Sequence, residues 1–359
     1  MFEDKITPQI CVADVMILTD VFESFRDTSL SKEVYELDPA HYVSAPSLSW
    51  DAMLKCTGVE LELISDPAMF NMIDKGIRGG LSMIVQRKAR ANNKYMGPLY
   101  DPAAPSSYLL DLDANNLYGN AMSEALPTGA FRWFDSPAIH DYNWTAWLED
   151  DPRIGHIVEC DLNYPESLHE AHNDYPLAPE RMEIKSEMLS EKQEQLTLTY
   201  QASRGGNGSK LVTTLLPKKK MVLHSKVLKF YLEHGLTLTK IHRVIIFHQS
   251  PWLAPYIAKN STLRAQAKNG FEKDFFKLMN NAIYGKTCEN LKERTDIRLV
   301  NNSSQLKRLI NKPNLLQTRI FNQGKDLVGV ELRKTRIMID KPFYLGFCVL
   351  DLSKRHMYW

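Results

Sequence analysis

Two short segments carry residue types from which a site for a metal ion and a triphosphate can be built. The first is Asp113-Ala-Asn-Asn-Leu-Tyr118-Gly119, entered from the apolar run Tyr108-Leu-Leu-Asp-Leu112. A carboxylate leaving a strand is a hard oxygen donor and can hold a divalent cation such as Mg2+. The second is Lys277-Leu-Met-Asn-Asn281-Ala-Ile-Tyr284-Gly285. On a helix, Lys277, Asn281 and Tyr284 fall at i, i+4 and i+7 and share one face. A Lys, an Asn, a Tyr and a Gly so arranged can hold a triphosphate and its sugar. The lysine supplies a compact point charge and Gly285 permits close approach.

The surrounding pattern predicts the elements that must position these residues. The run 108–112 reads as a strand buried on both faces, with Asp111 on the same side as Asp113. A helix is expected over 115–125, ended before Pro127. Residues 154–162 read as a strand, with Ile157, Val158 and Leu162 apolar around His156, Glu159 and Asp161. Another strand is expected over 241–247. Pro251 opens a helix at its first turn, over about 252–268. The chain turns at Asn269-Gly270, and a second helix, 272–291, runs back against the first.

Upstream, 12–26 has helical spacing of Val15, Ile17, Leu18, Val21, Phe22 and Phe25, with Asp14 near its start. Ser49 is read as the cap of a short helix to Cys56. Gly79-Gly80 interrupts the next stretch, and Pro98, Pro102 and Pro105 mark a boundary. Residues 163–220 read as an insertion with a mobile loop at Arg204-Gly-Gly-Asn-Gly-Ser-Lys210. A helix over 226–234 is stopped by Gly235. One or two strands are expected over 328–339, and a final amphipathic helix over 342–358.

With 359 residues and 44% hydrophobic content, the chain can bury two or three packed units. A net charge of +1 gives no global field for nucleic acid. Binding of that kind must come from local patches: Arg87-Lys88-Ala-Arg90 with Lys94, Lys218-Lys219-Lys220, and Lys307-Arg308. Each patch also fits a solvated face. Cys11, Cys56, Cys160, Cys288 and Cys348 are scattered without a C-x-x-C pair. That argues against a zinc ribbon and fits a reduced intracellular compartment. No apolar stretch reaches the roughly 18 residues of a membrane span, and Met-Phe-Glu-Asp-Lys at the N-terminus has no signal core. No membrane partner is expected.

Together the two segments resemble motifs A and B of family B DNA polymerases, D-x-x-S-L-Y-P and K-x-x-x-N-S-x-Y-G. The likeness is to the protein-primed branch, which includes organellar and viral polymerases and those of Maverick/Polinton-type transposons. Element-type members read D-x-N-N-L-Y-G-x-A-M followed by L-P-x-G-x-F. Here that is Asp113 to Met122, then Leu126-Pro-Thr-Gly129-Ala-Phe131. Gly76-Ile-Arg-Gly79-Gly80-Leu-Ser-Met, Ala91-Asn-Asn-Lys-Tyr-Met and Phe271-Glu-Lys-Asp-Phe-Phe-Lys277 are similar to further phrases of the branch. Asn116, Gly119 and Ala282 stand where the wider family has Ser, Pro and Ser.

The resemblance implies an α+β fold: a right-hand polymerase fragment with an antiparallel palm sheet and helices, two-helix fingers and a remnant of an RNase H-like exonuclease domain. Residues 1–35 would be the tail of the 3′–5′ exonuclease and 36–105 a connector with the template-binding linker. Residues 106–250 would be the first part of the palm, with an insertion over about 163–220. The fingers would span 251–300, and 301–359 would return to the palm. The implied reaction is DNA-templated nucleotidyl transfer with two Mg2+ ions, in replication of a mobile element or virus.

By the same resemblance Asp113 is the catalytic metal ligand, with the backbone carbonyl of Ala114 beside it. Tyr118 is the steric gate under the deoxyribose. Lys277, Asn281, Tyr284 and Gly285 face the incoming nucleotide, and Arg264 and Lys268 are candidates for further phosphate contacts. Arg78, Gly79 and Gly80 resemble the Y-x-G-(G/A) linker that holds DNA, with Ile77 in the place of Tyr. Asp14 resembles a metal ligand of the third exonuclease motif, with Ile10 in the place of its Tyr. The implied partners are a DNA template-primer, a dNTP and a terminal protein primer. The first two exonuclease motifs are not found, nor is motif C, Y-x-D-T-D, the source of the second catalytic aspartate. The expectation is therefore a truncated fragment inactive on its own, and the alternative is a catalytically dead nucleic-acid-binding remnant.

Overall fold

A strand that is apolar on both faces needs a layer on each side, and residues 154–163 impose that arrangement. A computed structural model describes residues 3–86, 88–135, 151–199, 209–321 and 327–358. Arg87, residues 204–208 of the Gly-rich loop and Trp359 lie outside the described residues.

The chain begins with α1 (Glu3–Leu30), α2 (Ala45–Thr57), α3 (Pro67–Gly76) and α4 (Leu117–Met122). The strands β1 (Leu126–Trp133) and β2 (Ile154–Asn163) follow, then α5 (His169–His172), β3 (Glu180–Met182), α6 (Glu191–Thr199) and β4 (Lys210–Val212). Next come β5 (Lys218–His224), α7 (Ser225–Glu233), β6 (Thr237–Ser250), α8 (Ala254–Gln266) and α9 (Gly270–Thr287). The last elements are β7 (Thr295–Val300), α10 (Ser303–Ile310), β8 (Leu315–Ile320), β9 (Val328–Arg333) and α11 (Phe343–Tyr358).

The main sheet is antiparallel in the order β1-β6-β2-β5. On one face Ile157, Val222, Ile245 and Phe247 pack against α2, α3, α4, α8, α9 and α11. On the other, Val158, Cys160, Leu162, Leu223 and Val244 pack against Val227, Leu228 and Tyr231 of α7. Two smaller antiparallel sheets, β3-β4 and β7-β9-β8, complete a mixed α+β fold. No helix among the described residues is long and apolar enough to cross a membrane.

Covering β2 on both sides also buries its polar residues, which the alternation had left between apolar neighbours. Glu159 accepts both Nε and Nη2 of Arg243, at 2.8 and 3.1 Å. Burial works against ionisation of Asp161, but the Lys220 N–H, His242 and Lys219 outweigh it and hold the carboxyl at about 2.

Two buried histidines set an acid limit. Burial lowers His156 to about 4 and takes His224 well below its ordinary value. His224 Nδ1 already accepts the Lys226 N–H as the cap of α7, at 3.2 Å. The unfolded chain takes up these protons near pH 6.5 and the folded one does not, so stability falls as pH drops from 6.5 towards 4. The expected slope is about 1.4 kcal/mol per pH unit for each histidine. Thermal melts across that window should shift downward, and His156→Gln should flatten the profile. A pH-independent melt from 6.5 to 4 would show that these rings are protonated in the fold.

Several expectations are corrected. The segment 108–112 is not a strand: it has no sheet partner, and Leu110 and Leu112 are 80% and 85% exposed. An apolar run becomes a buried strand only when another strand takes up its backbone groups, and none of the described strands lies beside it. The helix after Asp113 is shorter, at Leu117–Met122.

Ser49 does not cap α2. Ser44 holds that position, while Ser49 is buried and its Oγ donates to the Met279 carbonyl at 2.6 Å. Pro255 rather than Pro251 sits in the first turn of α8. The final helix is not amphipathic over its first three turns, where residues 343–353 are all buried. The helix over 12–26 is present within α1, but Val15, Ile17 and Leu18 are exposed; Phe25 is the residue that packs, with its ring 5.1 Å from Phe275. The sheet β7-β9-β8 and α10 were not foreseen except at β9, because β7 and β8 mix charged and polar residues with exposed Ile297, Leu299 and Ile320.

Candidate functional site

The helix α9 is built to present one face. Asn269 caps it by accepting the Glu272 N–H at 2.8 Å, and Glu272 returns a carboxylate oxygen to the Lys268 N–H at 2.8 Å. Phe275, Phe276, Met279, Asn280 and Ile283 are buried. A buried polar chain fixes the rotation of the helix. Tyr35 OH donates to Asn260 Oδ1 at 2.6 Å, and Asn260 Nδ2 donates to Asn280 Oδ1 at 2.8 Å. Each buried polar atom in it needs its partner. With that face locked inward, Lys277, Asn281 and Gly285 remain exposed and Tyr284 is half-buried.

The segment after Asp113 meets this helix. Tyr118, on α4, stacks on Tyr284 with centroids 4.4 Å apart and planes 21° off parallel. Burial, then the neighbouring Cys288 and Tyr118, raise the Tyr284 hydroxyl well above its ordinary range. Two of the three departures from the wider pattern, Asn116 and Gly119, form a matched pair. Asn116 adopts the left-handed region, with φ 56°, and its amide lies against Gly119, where any Cβ would collide with it. The end of α9 is held close to α11, since a Cβ at Gly346 would meet Cys288 Sγ and Thr287. A pocket of about 500 Å3 opens beside that end, lined in part by Phe70, Ile77, Thr287, Cys288 and Phe343.

The other predicted residues are placed less centrally. Asp113 and Ala114 are exposed in a segment without regular structure. Arg264 and Lys268 are exposed at the end of α8 and in the turn after it, and Asp14 is exposed on α1. Gly79 and Gly80 are exposed with open space where a side chain would be. Arg78 is 6% exposed, and its Nη2 donates to the Val222 carbonyl at 2.9 Å and to Asp351 at 3.4 Å.

Asp351 was not singled out from the sequence. It is 1% exposed on α11 and also accepts the His224 N–H at 3.1 Å. Lys354 Nζ donates to the Arg78 carbonyl at 2.6 Å, and burial brings its amine down to about 8. Glu124, just beyond α4, accepts Lys226 at 2.8 Å and Arg355 at 2.9 Å, tying α4 to α7 and α11. The signal for Asp351 was a lone carboxylate inside Gly346-Phe-Cys-Val-Leu-Asp351-Leu.

Among the described residues no group of three His, Cys, Asp or Glu side chains comes together as a metal site. Asp113 with its neighbour Asp111, both exposed, does not fit a two-ion centre on its own.

Comparison with known proteins gives a family. The model for DNA polymerase type B, organellar and viral, matches residues 5–341. Among solved structures the chain is similar to Phi29 DNA polymerase in an orthorhombic crystal form, at 15% identity and TM-score 0.46, covering 88% of this chain and 46% of that one. It is also similar to Phi29 DNA polymerase complexed with primer-template DNA, the post-translocation binary complex, at 15% identity and TM-score 0.46, covering 88% and 44%. The chain spans less than half the length of these structures. Among curated proteins none matches.

Proposed function

The chain belongs to the organellar and viral type B DNA polymerases, and on that premise we propose that it carries the nucleotide-facing half of a DNA-directed DNA polymerase site. The observation that carries this reading is the stack of Tyr118 on Tyr284, which joins the Asp113 segment to the Lys277 helix at one place. In this reading α8 and α9 are the fingers, the β1-β6-β2-β5 sheet is the palm, and α1 is the tail of an exonuclease domain. The partners are a DNA template-primer and a dNTP, with a terminal protein as primer, in replication of a mobile element or virus.

The residues divide the work by chemistry. Lys277 places one positive charge on the exposed face of α9, where it meets the triphosphate as a point charge. The stacked Tyr118 offers an aromatic platform for the sugar, and its bulk opposes a 2′-hydroxyl. Asn281 and Tyr284 face the nascent base pair, and Gly285 leaves room for it. Polymerases of this family generally use Mg2+. The carboxylates among the described residues do not fit a two-ion site, so no step is derived through the metal. The same observation favours a second reading, in which this polypeptide binds nucleic acid and nucleotide without transferring a nucleotidyl group.

Binding of a fluorescent dNTP tests the reading. A charge-assisted contact is worth about 1.5–3 kcal/mol, so Lys277→Ala should weaken binding by roughly ten- to a hundredfold. Tyr118→Ala should narrow the difference in affinity between dNTP and rNTP. Unchanged affinity and unchanged sugar preference in both variants would sink the proposal.

A further inference from the structure

We propose that Cys288 is a positioning residue for sugar selection: seated in the notch at Gly346, it holds Tyr284, and through the stacked ring Tyr118, in the place from which Tyr118 opposes a 2′-hydroxyl. This rests on the functional reading above, in which Tyr118 stands under the sugar.

Cys288 closes α9. Its N–H reaches the carbonyls of Tyr284 and Gly285 at 3.2 and 3.3 Å. Residues at i and i+4 share a face of a helix, so the thiol lies on the side of α9 that carries the Tyr284 ring. The Cys288 thiol neighbours the Tyr284 hydroxyl, and so does Tyr118. One line of contacts therefore runs from Cys288 through Tyr284 to Tyr118.

The sulfur has a fixed seat. A Cβ on residue 346 would collide with Cys288 Sγ and crowd Thr287 Oγ1 at 3.1 Å, so glycine is what makes room for the thiol. α11 is buried at every position from 343 to 353 and has no slack to give. Thr287 is 2% exposed, and its Oγ1 donates to the Tyr284 carbonyl at 2.8 Å. Tyr118 is held less firmly. Its helix has six residues and its ring is half-buried. The stack on Tyr284, with centroids 4.4 Å apart, is the contact that orients it. A gap of about 0.5–1 Å already forfeits a quarter to a half of a packing contact. A small tilt of Tyr284 is thus enough to loosen the ring that faces the sugar.

The test is the ratio of dNTP to rNTP affinity, read with fluorescent nucleotides on the whole chain, with melting temperature measured beside it. Cys288→Ala leaves a gap beside Tyr284 and should lower the ratio by about two- to tenfold, the worth of one aromatic pair. Cys288→Ser keeps a polar atom beside the Tyr284 hydroxyl and should hold the ratio nearer to wild type, even if it melts no higher than Cys288→Ala. Gly346→Ala drives a Cβ into the sulfur and should also lower the ratio. In the Cys288→Ala background it should lower the ratio no further, because its effect passes through the sulfur. An unchanged ratio in Cys288→Ala overturns the proposal. So does a ratio that only follows melting temperature across these variants, since the thiol would then be packing alone. An equal effect of Gly346→Ala with and without the sulfur overturns it as well. Tyr118→Ala separates the two ideas. If it narrows the ratio and Cys288→Ala does not, the functional reading stands and the role of Cys288 falls. If Tyr118→Ala leaves the ratio unchanged, both fall.

Discussion

Primer extension by the 359-residue chain is expected to stay at background when it is given primer-template, dNTPs and Mg2+. Transfer of a nucleotidyl group needs charge stabilisation at both the attacking and the leaving oxygen. Asp113 is exposed, and the described residues gather no group of three metal-binding side chains. Losing one such stabilising element typically costs about 2.7–4 kcal/mol, a factor of 100 to 1,000 in rate. Joining a segment that carries a Y-x-D-T-D strand should bring extension, and Asp113→Ala in that longer protein should abolish it. Tyr118→Ala there should keep extension and admit ribonucleotides. Extension by the chain alone that disappears in Asp113→Ala would defeat the argument. It would show that a second carboxylate, Asp111 or Asp161, serves.

Asp351→Ala should give the largest loss of stability. Asp351 lies between Arg78 and Lys354 and is almost fully buried. Removing one partner of a buried ion pair leaves uncompensated charge and typically costs about 3–5 kcal/mol. The His224 N–H loses its acceptor at the same time. A drop in melting temperature of roughly 10 °C is expected, at a few degrees per kcal/mol for a domain of this size. Asp351→Asn keeps an acceptor oxygen and should lose less. A melting temperature within a degree or two of wild type in Asp351→Ala would mean that the cluster is hydrated and its cations are not buried. The expected loss in Asp351→Ala is structural and independent of whether the chain transfers nucleotides.

Of the main sheet, β2 and β6 were legible in the residues and β1 and β5 were not, while the face of α9 was. The interval of four and then three residues from Lys277 to Asn281 and Tyr284 is a property of any helix, so their common face follows from spacing alone. β2 was read to within one residue at its end, because its apolar density resembles that of a strand with layers on both sides. The end of α7 followed from Gly235, which takes φ 90°. Such features depend on neighbours along the chain, and the sequence states those directly.

What the sequence could not state is which distant groups would be present to complete a local preference. The run 108–112 has the composition of a buried strand, but burial needs a hydrogen-bonding partner, and in this fold it is exposed. Arg78 beside Gly79-Gly80 resembles part of a linker that holds DNA. Its burial is decided by Asp351 and the Val222 carbonyl, far along the chain. The matching of Asn116 to Gly119 is a short-range clash, yet it is visible only once Asn116 adopts its left-handed backbone. The sequence alone determined that Tyr118 and Tyr284 each stand beside residues able to bind a metal ion or a triphosphate. Only the tertiary structure decided that their rings stack. That contact depends on Glu124 anchoring α4, on Asn280 and Ser49 fixing the rotation of α9, and on Gly346 letting α11 approach its end.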